Sequence, residues 1–185
     1  MHFSETSIAG LAVVKHNRLN DSRGSFRRLW CEREFADGRL PGPVVQISLS
    51  ETQHQGTLRG MHFQLPPSRE GKLVQCIRGR IHDVAVDLRP KSASFLSHFG
   101  LELAATEDLA LFIPAGCAHG FLTLTDDCAV LYMMTDFYDP ALAAGVRWDD
   151  PRLGIRWPRL PQEILPRDAD YPDLDPATLE GFADY

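Results

Sequence analysis

The sequence predicts an all-β protein, either a sandwich or a barrel such as a jelly roll. Short runs rich in β-branched and aromatic residues recur along the chain, with Gly, Pro and Asp between them. Helical periodicity is weak, so crossover helices between parallel strands are not expected. The 185 residues suffice for one well-buried domain and are too few for two of ordinary size.

Nine strands are predicted in chain order, and alternation of apolar and polar residues is clearest in 81–88. The predicted strands are 8–16, 44–50, 57–63, 72–77, 81–88, 95–104, 109–113, 119–125 and 128–135. Short helices are predicted at 32–37 and 141–144. Residues 161–185 are rich in Pro and Asp. We expect them to form an extended C-terminal wrap within the single domain 1–185.

Composition and charge exclude several classes of protein. The formal net charge of −6 is concentrated in 161–185, which hold seven acidic residues and one arginine. The remaining chain is balanced, so it lacks the basic face that nucleic-acid binding requires. No apolar run is long enough to span a membrane, and the N-terminus is unlike a secretory signal. The four scattered cysteines, Cys31, Cys76, Cys117 and Cys128, predict free thiols in a reducing cytoplasm.

A histidine and a lysine stand in neighbouring predicted strands, His62 in 57–63 and Lys72 at the start of 72–77. A neutral imidazole facing an ammonium group suits removal of a proton next to a carbonyl. One group accepts the proton and the other stabilises the enolate oxygen. A histidine on an apolar strand is more often structural, but polar neighbours such as Gln64 favour the functional interpretation.

Arg59 lies near His62 and is a suitable ligand for an anionic substrate. The two residues are three apart and therefore lie on opposite faces of a regular strand. Both can face one site only if Gly60 introduces a bulge.

A hairpin is predicted around Asp126-Asp127, pairing Thr125 with Cys128, Thr123 with Val130, Phe121 with Tyr132, and His119 with Met134. In this register His119 and Tyr132 share one face of the sheet, and Tyr138 has the same parity as Tyr132. Tyrosines here are ordinarily half-buried barrel aromatics. The functional alternative is a proton donor opposite the base, which inversion of a carbon requires.

A metal site is the alternative interpretation of these histidines. Pro114-Ala115-Gly116-Cys117-Ala118-His119 resembles the second half of a cupin metal motif. The first half needs two histidines and a glutamate, whereas this chain has His62, Gln64 and the more distant Glu70. An amide is a poor ligand for zinc or iron, so the site is expected to be metal-free.

Two further segments have a common and a functional interpretation. Asp168 would ordinarily be a solvated residue of the tail. It gains a role if the tail folds back and hydrogen-bonds the imidazole. The segment from Asp21 to Phe26 is typical of a turn with a solvated Arg23. The alternative is a pyrophosphate contact by Arg23, with Phe26 packing on a base or sugar.

Six motifs occur in order: Asp21-x-Arg23-Gly24-x-Phe26, Arg59-Gly60-Met61-His62-Phe63-Gln64-x-Pro66-Pro67, Gly71-Lys72-Leu73-Val74, Asp83-Val84-x-Val86-Asp87-Leu88-Arg89, Ile113-Pro114-x-Gly116-x-Ala118-His119-Gly120-Phe121 and Arg147-Trp148-x-Asp150-Pro151. Trp157-Pro158 and Arg167-Asp168 follow. Together, over residues 8–172, they resemble the dTDP-4-dehydrorhamnose 3,5-epimerase family.

The resemblance implies a cupin-type jelly roll, a homodimer with exchanged strands, no metal and no cofactor. It implies a nucleotide-diphosphate 4-keto-6-deoxysugar as substrate. The expected reaction inverts C3 and C5 of dTDP-4-dehydro-6-deoxy-D-glucose in L-rhamnose and O-antigen biosynthesis. Matched positions give a base (His62), its orienting carboxylate (Asp168), a proton donor (Tyr132) and a group beside the C4 oxygen (Lys72). Substrate contacts are assigned to Arg23, Phe26, Gln46, Ser48, Arg59, His119, Tyr138 and Arg167.

Three positions depart from the family pattern: Arg28 and Ala143 replace glutamates, and Ser48 replaces an asparagine. They suggest the same chemistry on an altered ligand, with three alternatives: a different nucleotide such as CDP, a deoxygenated sugar, or inversion at a single carbon. A non-catalytic sugar-binding cupin is a separate alternative. A metal-dependent cupin oxygenase or isomerase is a further alternative, which metal analysis would remove.

Overall fold

The computed structural model describes residues 1–38 and 42–185, which form two antiparallel sheets with the main core between them. In order across the first sheet the strands are β1 (His2–Glu5), β2 (Ala12–Lys15), β10 (Leu109–Ile113), β7 (Lys72–Arg78), β12 (Cys128–Met134) and β5 (Gln46–Thr52). The second sheet runs β13 (Ala143–Gly145), β6 (Thr57–Gln64), β11 (Cys117–Thr123), β8 (Arg80–Asp87) and β9 (His98–Ala104). The predicted all-β fold is confirmed, as a cupin-type jelly roll.

Smaller elements lie outside this path. Strand β14 (Glu163–Ile164) pairs in parallel with β6, and β3 (Arg18–Asp21) pairs only with β4 (Gly24–Arg27) as a separate hairpin. The helices are α1 (Glu32–Asp37), α2 (Pro166–Ala169) and a 3₁₀ helix (Pro176–Phe182).

All nine predicted strands occur, and those predicted at 8–16, 44–50 and 95–104 begin two to four residues later than predicted. The predicted strand 8–16 begins at Ala12, because the chain turns between Ile8 and Leu11 with Gly10 at φ +78°. Strands β1, β3, β4, β13 and β14 were missed, since they are short and mostly exposed and show little alternation.

Of the two predicted helices, 32–37 is confirmed and 141–144 is wrong. The chain turns at Asp139, whose carbonyl oxygen accepts a hydrogen bond from Leu142 N and whose carboxylate accepts one from Ala141 N. Residues 143–145 then pair with β6. Pairing with an open strand edge therefore overrides the helix propensity of these alanines.

The predicted hairpin between β11 and β12 is wrong. Strand β11 pairs with β6 and β8, whereas β12 pairs with β5 and β7 in the other sheet. The Asp126-Asp127 segment carries the chain between the sheets and binds 53–55 through Asp127 N and the Asp126 carboxylate. His119 and Tyr132 still meet, because both point into the interior from opposite sheets, with ring centroids 5.9 Å apart.

The C-terminal segment packs on the outer face of the second sheet. Leu174, Leu179 and Phe182 join one apolar cluster with Met61 and Phe63 of β6. The Tyr185 hydroxyl donates a hydrogen bond of 2.6 Å to the carbonyl oxygen of Ser68. These contacts fix the segment that carries α2 along the rim of the barrel.

The four cysteines are free thiols, as predicted, and burial raises the pKa of Cys76 to about 12. Within 1–38 and 42–185 there is no helix of the length and apolarity needed to cross a membrane.

Candidate active site

A bulge in β6 turns two polar side chains toward the barrel interior. The pairing of β6 with β11 shifts register between the pairs His119–His62 and Phe121–Arg59. Gly60 lies at this irregularity with φ +132°, and a Cβ there would overlap the Cα of Gly120. A side chain at residue 60 is therefore excluded by both backbone conformation and space. The bulge that Arg59 and His62 would need in order to face the same side of the strand is present.

His62 is bonded to a carboxylate from the distant α2 helix. The ring Nε2 lies 2.8 Å from Asp168 Oδ1, while Asp168 Oδ2 accepts a hydrogen bond of 3.1 Å from Gly60 N. The His62 side chain is 34% exposed and that of Asp168 only 2%. An ionised carboxylate only accepts hydrogen bonds, so in the neutral form of His62 the nitrogen facing Asp168 carries the proton and the other ring nitrogen has the lone pair.

Asp168 is held in its charged form despite its burial. Desolvation opposes ionisation, but the hydrogen bond and charge of His62, the Gly60 N–H group and Arg167 outweigh it. The pKa of Asp168 therefore lies below its usual value. Arg167 Nε lies 3.2 Å from Asp168 Oδ1, and its Nη2 lies 3.3 Å from His62 Nε2.

Lys72 begins β7 and points into the same interior. Its Nζ lies 2.8 Å from Glu70 Oε1, and both side chains are largely buried. The other carboxylate oxygen, Glu70 Oε2, accepts a hydrogen bond of 3.1 Å from Gln64 Nε2. Glu70 therefore holds the Lys72 ammonium group in place at the cavity.

Tyr132 lies across the interior from His62, on β12. Its ring packs edge-on against His119. Burial, followed by the nearby Asp83 carboxylate, raises the pKa of Tyr132 well above its usual range. The side chain is therefore a phenol at neutral pH and carries a proton, and its place opposite His62 makes it the candidate proton donor.

A second histidine–carboxylate pair lies deeper in the barrel. His119 Nε2 is 2.7 Å from Asp83 Oδ1, and both side chains are almost fully buried. Asp83 Oδ2 is buried without a hydrogen-bond partner among the residues that the structure describes.

One cavity of about 370 Å³ joins most of the predicted site residues. It is lined by Gln46, Ser48, His62, Phe63, Gln64, Glu70, Lys72, Tyr132, Met134, Tyr138, Ala143, Ala144, Arg167 and Tyr171. Asp168 lies behind this lining and is hydrogen-bonded to His62, which lines the cavity. The cavity thus combines an imidazole, an ammonium group and a phenol, the set needed for proton transfer beside a carbonyl.

Comparisons with known proteins agree with this chemistry. The model of the family described as dTDP-4-dehydrorhamnose 3,5-epimerase matches residues 5–176. The chain belongs to this family.

The dTDP-4-dehydrorhamnose 3,5-epimerase of Sinorhizobium fredii is 38% identical, over 94% of this chain and 90% of the relative. The epimerase of Bacillus anthracis, solved with TDP and PPi bound, has a TM-score of 0.90 and 32% identity, covering 94% of this chain and 99% of that one. A 3′-monoepimerase from Streptomyces bikiniensis in complex with dTDP-quinovose has a TM-score of 0.85 and 32% identity, covering 96% and 90%.

The cavity lining does not include six residues that the sequence singled out, namely Arg23, Phe26, Arg28, Arg59, His119 and Asp168. Arg23 pairs with Asp21 on the exposed β3–β4 hairpin, where Phe26 is 65% exposed. Arg59 donates to Thr52 Oγ1 and to a backbone carbonyl at the barrel end. Arg28 pairs with Glu34 of α1.

The cavity of the epimerase also contains residues to which the sequence analysis gave no role, chiefly Glu70 and Tyr171. Glu70 and Lys72 are opposite charges two residues apart at the start of a strand, a spacing that puts both on one face. Tyr171 follows Asp168 by three residues and packs edge-on against His62 at 6.3 Å. Gly145 leaves room for it, since a Cβ there would overlap the Tyr171 ring.

In the two described ranges, His, Cys, Asp and Glu side chains form no group of three arranged to hold a metal ion. The imidazoles of His62 and His119 each face a carboxylate, and Glu70 faces Lys72 and Gln64.

Proposed function

We propose that this protein inverts C3 and C5 of dTDP-4-dehydro-6-deoxy-D-glucose and releases dTDP-4-dehydro-L-rhamnose. The observation that carries the proposal is the convergence of His62, Lys72 and Tyr132 on one cavity, with Asp168 bonded to the imidazole. A 4-keto group acidifies the C–H bonds at both neighbouring carbons, so one base and one enolate stabiliser can serve both.

In the proposed mechanism His62 removes the proton from C3 or C5 through the ring nitrogen that does not face Asp168. The electrons of the broken C–H bond form the enolate, whose negative charge develops on the C4 oxygen. Asp168 holds the ring orientation and stabilises the imidazolium ion, as the aspartate of a catalytic triad does.

Lys72 is proposed to stabilise the enolate oxygen through its ammonium group. A fixed donor aimed at developing charge in a closed site is worth about 3–4 kcal/mol of transition-state energy. Tyr132 then donates its phenolic proton to the opposite face of the carbon. The proton on His62 and the phenolate left on Tyr132 are re-equilibrated through solvent before the second carbon reacts.

We propose that Gln46, Ser48, Tyr138 and Arg167 of the cavity wall, together with His119 and Arg59 nearby, contact the nucleotide sugar. Gln46 Nε2 lies 3.4 Å from Ser48 Oγ, and Gln46 Oε1 accepts a hydrogen bond from Tyr138 N, so this part of the wall is one connected surface.

We infer that the protein is a homodimer that exchanges strands. Strand β5 is an edge of the first sheet, and its outward residues Ile47 and Leu49 are 61% and 52% exposed. Its inward residues Gln46 and Ser48 line the cavity. In the proposed dimer, the β3–β4 hairpin of the partner subunit lies on the β5 edge and covers its exposed apolar residues. Natural proteins commonly cover exposed strand edges in this way. The hairpin would also bring Arg23 and Phe26 to the neighbouring cavity.

The quaternary proposal predicts a particle of twice 20.7 kDa by light scattering. Leu49→Lys should shift it toward the monomer and lower activity. A wild-type monomer with full activity would refute it.

We place the protein in the cytoplasm, as a single domain 1–185 serving L-rhamnose and O-antigen biosynthesis without a cofactor. The four free thiols support a reducing compartment. Activity is expected to survive treatment with a chelator.

The proposal is tested by NMR of dTDP-4-dehydro-6-deoxy-D-glucose in deuterated water. We expect one deuteron at C3 and one at C5, with inverted configuration at both. Binding without exchange would indicate a sugar-binding cupin and refute the proposal.

A second candidate is a single-carbon epimerase, favoured by the similarity to the Streptomyces bikiniensis 3′-monoepimerase. It predicts one deuteron in the same experiment. Running the CDP-linked sugar in parallel identifies the nucleotide.

A further inference from the structure

Glu70 is the acidic side chain of the cavity that the proposed reaction does not use. It lines the cavity beside Lys72, and its side chain is 7% exposed. Both of its carboxylate oxygens are occupied, Oε1 by Lys72 Nζ at 2.8 Å and Oε2 by Gln64 Nε2 at 3.1 Å. The carboxylate therefore has a defined position and orientation.

The segment that carries Glu70 is itself tied to the barrel. Glu70 N donates to Ser68 Oγ, which in turn donates to Asp136 Oδ2 at 2.9 Å. The next residue, Gly71, donates through its N–H group to Thr135 Oγ1 at 2.8 Å. Bonds to 135–136 thus hold the backbone on both sides of Glu70.

Gln64 connects this anchor to strand β6, which also carries His62. Its amide nitrogen bonds Ser68 Oγ, Glu70 Oε2 and the Phe137 carbonyl oxygen, and its Oε1 accepts a hydrogen bond of 2.7 Å from Asp139 N. The position of the Glu70 carboxylate is therefore linked to the strand of the proposed base.

A lysine side chain needs such an anchor to act as a fixed donor. Its four-carbon stem has about 2 kcal/mol of rotamer entropy, and the ammonium group is a mobile point charge. Enolate stabilisation depends on donors already in place. The ammonium group has three N–H donors, so a contact with Glu70 leaves two for a ligand.

We propose that Glu70 is a positioning residue for this reaction and acts only through Lys72, holding the ammonium group where the enolate oxygen develops. The inference rests on the proposed function. It assigns Glu70 no proton transfer and no contact with the substrate.

The test is a double-mutant cycle of Glu70→Gln and Lys72→Met, read as the rate of deuterium incorporation at C3 and C5. Glu70→Gln keeps the shape and removes the charge. We expect it to lower kcat about tenfold to a hundredfold, because small misplacements of a catalytic group have effects of this size. KM should change less than threefold. In the Lys72→Met background the same substitution should have no further effect.

Glu163→Gln is the matched control. Glu163 is a hydrogen-bonded carboxylate beside β6, at Thr57 and outside the cavity, so its rates should equal those of the wild type. If Glu70→Gln does not fold, Glu70→Asp replaces it. That variant draws the carboxylate back by one methylene and should show the same dependence on Lys72.

An equal loss in the wild-type and Lys72→Met backgrounds would show that Glu70 acts independently of Lys72 and overturn the inference. A wild-type rate for Glu70→Gln would also overturn it. Absence of exchange by the wild-type protein would instead refute the proposed function, so the two failures are distinguishable. High enzyme concentration and long incubation keep the slow exchange of the Lys72→Met variants measurable.

Discussion

Two histidine–carboxylate pairs face the same barrel interior in different ways. His62 and His119 are direct partners across β6 and β11. The His62–Asp168 pair borders the cavity, and its imidazole is 34% exposed, whereas the His119 and Asp83 side chains are 6% and 0% exposed. The two carboxylates also differ in origin. Asp83 lies on β8, the other strand that pairs with β11, while Asp168 comes from the C-terminal segment.

Pairing with a carboxylate does not by itself identify a catalytic base. His62 has one ring nitrogen bonded to Asp168 and a ring open to the cavity, so it can exchange a proton with a ligand. His119 is almost fully buried and packs edge-on against the Tyr132 ring, so we expect it to shape the interior and contribute to substrate binding without acting as the base. We therefore expect damage to the first pair to reduce rate and damage to the second to reduce stability.

The largest effect is expected from Asp168→Asn. The amide can keep the shape of the contact but supports the imidazolium ion poorly and can favour the wrong tautomer. The rate of deuterium incorporation should fall about 10³- to 10⁴-fold, by analogy with a triad aspartate. A melting temperature within a few degrees of the wild type would show that the loss is chemical. A rate within tenfold of the wild type would contradict the role of this pair.

Tyr132→Phe should have the next largest effect. Without the phenolic proton, net inversion should slow about 10²-fold, the scale of one general acid. Exchange with retained configuration should continue, because His62 can remove and return a proton on one face. NMR in deuterated water separates the two rates, and equal loss of both would place Tyr132 in a different role.

Asp83→Ala should act mainly on stability. It leaves the buried His119 ring nitrogen without its partner, at a cost of about 1–3 kcal/mol in the free energy of unfolding. Urea denaturation measures this cost, and exchange at saturating substrate should fall less than in Asp168→Asn. A stable but inactive Asp83→Ala variant would contradict the structural role of the His119–Asp83 pair.

The smallest effect is a dependence of stability on pH. The pKa of Asp168 is below its ordinary value of 3.8 in the folded protein, although burial opposes this. The folded state therefore binds this proton less readily than the unfolded chain. The stabilisation is complete above about pH 5 and is lost as the pH falls through the folded pKa. The difference in free energy of unfolding between the wild type and Asp168→Asn should therefore be larger at pH 7 than at pH 3, as measured by urea unfolding. An unchanged difference would show that the charge contributes nothing.

The sequence predicted which side chains face the barrel interior more accurately than it predicted which strands pair. Alternation correctly placed His119 and Tyr132 inside the barrel, because the side-chain period of a strand is a local property. The predicted hairpin between them was wrong, since pairing depends on which sheet each strand joins. Arg59 and His62 are three residues apart on one strand, so they can face the same side only if the strand is bulged. The structure has that bulge at Gly60.

The contact of Asp168 with His62 could not be derived from spacing. It depends on the path of the C-terminal segment across the second sheet, and the family resemblance alone supplied it. Glu70 was considered only as a remnant of a metal motif, although its charge and its spacing from Lys72 were visible in the sequence. Its pairing with both Lys72 and Gln64 is a tertiary property of the 65–71 loop.

The most direct test of the account compares deuterium incorporation by His62→Asn and His119→Asn at saturating substrate. We expect His62→Asn to lose exchange at both C3 and C5 by at least about 10³-fold. His119→Asn should retain exchange at both carbons, with its main losses in KM and in melting temperature. Normal exchange by His62→Asn, or a greater loss of exchange in His119→Asn, would contradict the assignment of the base.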